Sequence, residues 1–368
     1  MPSPYEDRPP RSFWRSAVSE AQPGAFDGLY RRKFEIGAED RVATAGSCFA
    51  QHVARYMRKS GFRILDVEPA PAALPAQAAR EFGYGIYSAR YGNIYTARQL
   101  LQLMRDAQDG VVDPSCVWTR EGRFYDALRP NIEPNGFESE AEVLALRRDH
   151  LEKVRELFAT MDVFIFTFGL TEAWADRETG RVFPTAPGTI AGSYDPARHE
   201  FRNFTFKEVL KDFHVFHKLL RRLNPDVRTL LTVSPVPLTA TASDDHVLVA
   251  TMYSKAVLRA VAGQLAAEDA KIDYFPSYEI VANPWARESA YEPNLRSVSE
   301  SGVATVMGVF FQAHPPPQAA EPARVQVDPA DRHERKPMKR EKGRDQKDDE
   351  EAVCEDVLLE AFAPDKVA

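Results

Sequence analysis

The apolar run Asp162-Val163-Phe164-Ile165-Phe166-Thr167-Phe168 is the feature that most limits the folds open to this chain. Consecutive apolar positions are typical of a strand buried on both faces, as in a parallel sheet covered by helices on two sides. Similar shorter runs occur at Thr229–Val233 and Ile272–Phe275. Helical periodicity precedes these runs, at about residues 140–160, 206–222 and 251–268. The sequence therefore predicts an α/β fold, a three-layer α/β/α sandwich with a mainly parallel sheet that binds ligands at the carboxyl ends of its strands.

Composition divides the chain into four segments. Residues 1–37, rich in proline and charge, indicate an N-terminal arm, and 38–314 form the predicted domain, with a small β insertion at about 111–138. Residues 315–351 consist largely of Pro, Ala and charged residues, which predicts a disordered linker. Helical periodicity returns in 352–368, and we expect this C-terminal helix to dock back on the domain.

Charge and cysteine usage exclude several classes of function. The net charge of −7 and the interleaving of basic with acidic residues argue against nucleic acid as a partner. The cysteines Cys48, Cys116 and Cys354 are far apart and odd in number, which favours a reducing compartment over a disulfide framework. No metal-ligand spacing or phosphate-cradling glycine loop is present, so we expect no metal and no organic cofactor.

The N-terminal twenty residues lack the apolar core of a signal peptide. No later stretch approaches the roughly 20 apolar residues of a membrane span. We expect a cytoplasmic protein without a membrane span.

The stretch Thr44-Ala45-Gly46-Ser47-Cys48-Phe49-Ala50 places a serine between a glycine and the predicted start of a helix, after a short apolar strand. After this helix, a second strand is expected at Phe62–Val67. Ser47 itself, at the turn from the first strand into the helix, is a candidate nucleophile, because the helix N-terminus offers N–H groups to a developing oxyanion. Serine is also a favoured N-cap residue, so local sequence leaves both interpretations open.

The motif Ala45-Gly46-Ser47-Cys48-Phe49-Ala50 resembles the GSCFA family, which is similar to the SGNH/GDSL hydrolases. Further blocks support the resemblance in family order over about residues 38–311: Tyr91–Tyr95, Thr167–Trp174, Thr232–Val236, Tyr253–Lys255 and Tyr274–Glu279.

The resemblance implies that Ser47 is the nucleophile. It also implies that an oxyanion is held by the backbone N–H groups of Ser47 and of Gly92 in the second block, Tyr91–Tyr95, and by a side chain of the third block, Thr167–Trp174. Thr171 stands where that block usually has asparagine, and a hydroxyl is also able to donate. Glu172 replaces the block's aspartate and is expected to orient the Ser47 turn by hydrogen bonding.

The general base is where the chain departs from the family. SGNH enzymes supply it from a late Asp-x-x-His, but the corresponding stretch Tyr291–Ser297 contains no histidine. The best remaining candidate is His246, which follows the strand exit at Ser234-Pro235 and has acidic neighbours. Its alternative interpretation is a helix-capping loop. Weaker candidates are His199 and His314 as base, Lys255 as an unusual base or anion ligand, and Cys48 as a thiolate nucleophile.

Two functions follow from these residues. The leading hypothesis is a serine ester hydrolase or O-acyl transferase that acts on an acylated carbohydrate or related metabolite. The alternative is a non-catalytic glycan-binding or acyl-ligand-binding protein, or a scaffold, that retains the pocket without a base. Trp174 and Tyr95 lie near predicted strand ends, where aromatic rings either stack on a sugar or fill the core.

Overall fold

The computed structural model describes residues 3–22, 24, 26–286, 290–317 and 355–363. The predicted linker lies outside these residues from position 318 to its end. The described strands are β1 Val42–Gly46, β2 Val117–Arg120, β3 Arg123–Asp126, β4 Val163–Phe168, β5 Glu172–Asp176, β6 Val182–Phe183, β7 His199–Asn203, β8 Arg228–Val233 and β9 Ile272–Tyr274. The described α-helices are α1 Cys48–Lys59, α2 Ala76–Glu81, α3 Ala97–Asp109, α4 Glu140–Thr160, α5 Phe206–Leu223, α6 Val247–Glu268, α7 Ser277–Ala282 and α8 Glu300–Ala313.

The central sheet has the parallel strand order β1-β4-β8-β9. The strand expected at Phe62–Val67 is reduced to one bridge between Ile64 and Val42. The reason lies in the hydrogen bonds, because the chain turns away after Leu65 and the N–H of Val67 donates to Ser88 at 3.0 Å.

The central strand β4 shows why the fold has three layers. Val163 and Ile165 pack in one core with α1 and α8, whereas Phe164, Phe166 and Phe168 pack in the other with α4, α5 and α6. Every residue of β4 is buried. The predicted α/β/α sandwich is confirmed.

Two smaller sheets lie outside the central one. The predicted β insertion is present as the antiparallel hairpin of β2 and β3. An antiparallel sheet of order β6-β5-β7, which was not predicted, follows the exit of β4. Its strands have two to five residues and are separated by proline- and glycine-rich segments, so they lack the long apolar run that marks a buried strand.

Described segments near both ends of the chain contact the domain. In the N-terminal arm, Ile36 is buried in the same core as α1 and α8. Near the C-terminus, Glu355–Phe362 forms a 3-10 helix. None of the described helices is both long and apolar enough to cross a membrane.

Candidate functional site

The serine turn, residues Gly46–Cys48, is built at the carboxyl end of β1. Gly46 has φ +137°, and a Cβ at this position would lie 2.4 Å from the carbonyl oxygen of Thr167. Only glycine fits here, because both the backbone conformation and the space exclude a side chain. The N–H of Ser47 donates to the Thr167 carbonyl at 3.1 Å and so extends the pairing of β1 with β4.

The Ser47 hydroxyl is enclosed and does not cap α1. Ser47 occupies the N-cap position, but its side chain makes no capping hydrogen bond. The residue is 2% exposed, and its Oγ has no hydrogen-bond partner among the described residues. A buried hydroxyl without a partner is costly, so this position is not explained by helix capping.

The second block forms one wall of the turn. The N–H of Ile94 donates to the Gly46 carbonyl at 2.9 Å, and Gly92 adopts φ +68°. Tyr87 donates its hydroxyl to the Ser47 carbonyl at 3.0 Å and also bonds Asn93.

Sequence reasoning missed three polar side chains of this wall: Gln51, Tyr87 and Asn93. Gln51 donates to Asn93 Oδ1 at 3.1 Å, and all three residues are buried. The available signal was the position of Gln51 one helical turn after Ser47, on the side of α1 that faces the sheet edge.

The third block forms the opposite wall. Gly169 lies against the serine, since a Cβ built on it would be 2.9 Å from Ser47 Cβ and 3.0 Å from the Tyr95 ring. Lys255, 1% exposed, donates to the Gly169 carbonyl at 2.8 Å. This contact gives Lys255 a structural role on α6. Tyr95 is buried within the wall, in agreement with a core role.

Thr171 is the predicted oxyanion donor of the third block. It is fully buried, and its Oγ1 has no hydrogen-bond partner among the described residues. Its N–H donates to Ser254 Oγ at 3.0 Å, which holds the block to α6. The hydroxyl is thus available to donate, whereas the N–H of Ser47 is already used by Thr167.

The Glu172 side chain faces the segment 238–243 and not the serine turn. Thr241 Oγ1 donates to its Oε1 at 2.8 Å, which ties β5 to residues 238–243. Burial raises the pKa of Glu172, and the bond from Thr241 opposes this shift.

His246, the predicted base, is the exposed N-cap of α6. Its Nδ1 accepts from the N–H of Leu248 at 3.1 Å. In this arrangement a neutral ring carries its proton on Nε2 and has no second acceptor nitrogen to offer. Its role as a base stays a prediction to be tested.

The other described histidines either contact structural partners or line a surface away from the serine turn. His150 Nδ1 contacts Glu68 at 2.7 Å, and His199 Nδ1 accepts from Asp195 N–H at 3.1 Å. His314 Nδ1 accepts from Ile36 N–H at 3.2 Å, and His214 Nε2 contacts Glu268 at 2.9 Å. His217 stacks on Phe213, His52 lines a separate cavity, and His333 is outside the described residues.

The segment Tyr291–Ser297 carries an asparagine and a serine at the spacing of an Asp-x-x-His. Asn294 Nδ2 donates to Ser297 Oγ at 3.0 Å, and Tyr291 OH donates to the Pro235 carbonyl at 2.9 Å. The segment therefore lies beside the exit of β8. An amide and an alcohol do not take a proton near neutral pH, so this pair supplies no general base.

A cavity of about 540 Å³ lies close to the serine turn: Leu170 lines it, and the preceding residue, Gly169, packs on Ser47. Its lining is largely apolar and includes Leu170, Trp174 and Leu238, with Glu172 and Thr241 as polar groups. Ligand sites in proteins have about 300–1,000 Å³ and this mixture of many apolar and few polar groups. Leu359 and Phe362 of the C-terminal 3-10 helix also line this apolar cavity.

No cluster of three or more potential metal-ligating side chains occurs within the described ranges. In a comparison with protein families, residues 41–310 match a model described as the GSCFA family. No curated protein matches the chain.

Proposed function

The chain belongs to the GSCFA family, and we propose that it binds an acyl-containing carbohydrate or related metabolite without using a serine–histidine relay to hydrolyse it. The observation that carries this proposal is the Ser47 hydroxyl, which has no hydrogen-bond partner among the described residues. A serine becomes a nucleophile only when a base within about 2.6–3.2 Å takes its proton, although apo geometry is often looser. The stretch where the family's histidine is expected, Tyr291–Ser297, contains no histidine.

The apolar cavity is the proposed binding site. Trp174 meets Tyr194 edge to face, with ring centroids 5.1 Å apart, and Tyr194 is 51% exposed. Such an aromatic pair presents apolar surface to an acyl chain or a sugar face. Glu172 and Thr241 supply hydrogen-bonding groups for sugar hydroxyls at the same wall.

Binding is tested with octyl glucoside by isothermal titration calorimetry. We expect Trp174→Ala to weaken binding about tenfold, equivalent to about 1.4 kcal/mol, because the substitution removes the aromatic wall. Trp14→Ala is the matched control, since Trp14 is 68% exposed on the N-terminal arm. Equal affinities of wild type and Trp174→Ala would contradict this site.

A second candidate is the serine ester hydrolase or O-acyl transferase, favoured by the buried Ser47 hydroxyl that is not used as a cap. Its oxyanion would be held by Gly92 and Thr171, with His246 as base after rotation away from Leu248. A fluorophosphonate probe and hydrolysis of p-nitrophenyl butyrate separate the two functions. We expect no labelling of the wild type; labelling and turnover that disappear in Ser47→Ala and in His246→Ala would establish the enzyme.

We also propose that the protein functions in the cytoplasm. Cys48 and Cys116 are buried thiols, which suits a reducing compartment.

A further inference from the structure

We propose that a second cavity, beside α1, binds a small phosphate-type oxyanion. This cationic cavity has a volume of about 130 Å³. It is lined by Gln51, His52, Arg55, Arg58, Arg80, Gly85 and Ile86. One ordered water needs about 10–15 Å³ of such space, so the cavity is large enough for a tetrahedral anion.

Two helices aim the basic side chains at this cavity. On α1, positions 51, 55 and 58 are separated by four and three residues, which places Gln51, Arg55 and Arg58 on one helical face. Arg80 comes from the last turn of α2. Arg58 donates to the Gly85 carbonyl at 3.1 Å, and this bond orients one guanidinium toward the loop that follows α2.

The lining residues carry three guanidinium groups and no carboxylate. Arginine is the side chain best suited to phosphate, because its planar fork donates two parallel hydrogen bonds and stays charged. Asp66 acts on Arg58 from outside the lining. Three guanidinium groups in one lining favour a dianion such as phosphate over a single carboxylate.

His52 reports the positive field in the cavity. Burial, followed by the charges of Arg55 and Arg80, lowers its pKa to about 4. Its Nδ1 faces the Arg55 guanidinium at 3.4 Å. A bound anion would offset these charges, so the imidazole would take up its proton at a higher pH.

The cationic cavity lies next to the wall of the serine turn. A crevice of about 30 Å³ shares Gln51, Arg80 and Ile86 with it and is also lined by Gly92 and Asn93. The side chains of Gln51, Arg80 and Ile86 thus lie between the cationic cavity and the crevice beside the second block. The site uses neither Ser47 nor the apolar cavity, so it stands independently of the proposed function.

Calorimetry with inorganic phosphate on the full chain tests this site. We expect saturable binding at one site and a loss of at least tenfold in affinity for Arg80→Gln. Arg63→Gln is the matched control, because Arg63 is exposed, does not line the cavity and changes the net charge equally. The control should stay within twofold of wild type; absence of binding, or equal weakening by both substitutions, would overturn the proposal.

A second measurement needs no substitution. The proton NMR titration of His52 is followed with and without saturating phosphate, and its midpoint should rise by at least one pH unit when phosphate is bound. Phosphate that binds without moving this midpoint occupies a different site and refutes the assignment. Arg80→Lys, which keeps the charge but loses the fork, should retain more affinity than Arg80→Gln; the reverse order would argue against phosphate contact by Arg80.

Discussion

The serine turn and the apolar cavity are neighbours that differ in almost every physical respect. Gly169 packs on Ser47, and the next residue, Leu170, already lines the cavity. The turn is enclosed by backbone and buried polar groups and leaves its hydroxyl without a partner among the described residues. The cavity is spacious, apolar and aromatic. A serine turn of catalytic type and the capacity for a ligand are therefore separate properties of this fold.

The largest expected effect comes from breaking the close packing of the turn. Gly46→Ala places a Cβ 2.4 Å from the Thr167 oxygen at φ +137°. We expect a loss of about 3–5 kcal/mol in the free energy of unfolding, because the backbone of β4 cannot move aside. Urea denaturation measures this loss.

The matched control is Gly180→Ala. Gly180 also has positive φ, at +67°, but has nothing within 4 Å of an added Cβ. Conformational strain alone should cost about 1–2 kcal/mol there. If the two substitutions cost the same, the turn is looser than its contacts indicate.

The second prediction concerns the pH dependence of the wall beside the turn. Glu68 accepts the N–H of Arg90 at 2.6 Å and contacts His150, so this pair anchors the second block. Burial and the charge of Arg129 lower the pKa of His150 to about 4, against the opposing effect of Glu68.

The sign follows from the unfolded value of about 6.5. A histidine with a lowered folded pKa contributes stability that is present above about pH 6.5 and is lost as the pH falls toward 4. The contribution of His150 is on the order of 3 kcal/mol. We expect His150→Gln to flatten the decline of unfolding free energy between pH 7 and 4, as measured by urea denaturation at each pH. If the unfolding free energy of His150→Gln depends on pH as steeply as that of the wild type, His150 does not cause the decline.

The smallest expected effect is on ligand binding in the apolar cavity. Leu359 and Phe362 line the apolar cavity, and Phe362 is 70% exposed, so they form only part of its wall. We expect the double substitution to serine to weaken octyl glucoside binding about threefold, or roughly 0.7 kcal/mol. Leu358→Ser is the control, because Leu358 does not line the cavity. Tighter binding by the double variant would mean that the segment competes with the ligand instead.

Sequence patterns predict the parallel sheet because strands such as β4 are apolar at all positions but Thr167, a signal that does not depend on their partners. They miss β5, β6 and β7, whose short strands are defined by cross-strand pairing. The position of Ser47 at a strand-to-helix turn is likewise evident from local sequence. Its hydrogen bonding is not, because Thr167 and Tyr87 come from distant parts of the chain.

The candidate base shows the same limit. The position of His246 after a strand exit places it near the sheet edge, but only the fold shows that its ring is exposed and bonded to Leu248. The cationic cavity combines two helices with the turn at Gly85, and the side chains that line it are ordinary surface arginines when considered singly. Local sequence patterns do not show which side chains from separate elements come together.

The pairing of Gly46 with Thr167 has a consequence for how this protein comes into being. These residues are roughly 120 positions apart, so loop closure opposes their contact until the intervening helices have formed. During synthesis at about 5–20 residues per second, β4 leaves the ribosome several seconds after β1 and α1. The serine turn therefore cannot acquire its shape before β4 is made, and Phe49 and Val53 lack part of their core until α8 has also been synthesised.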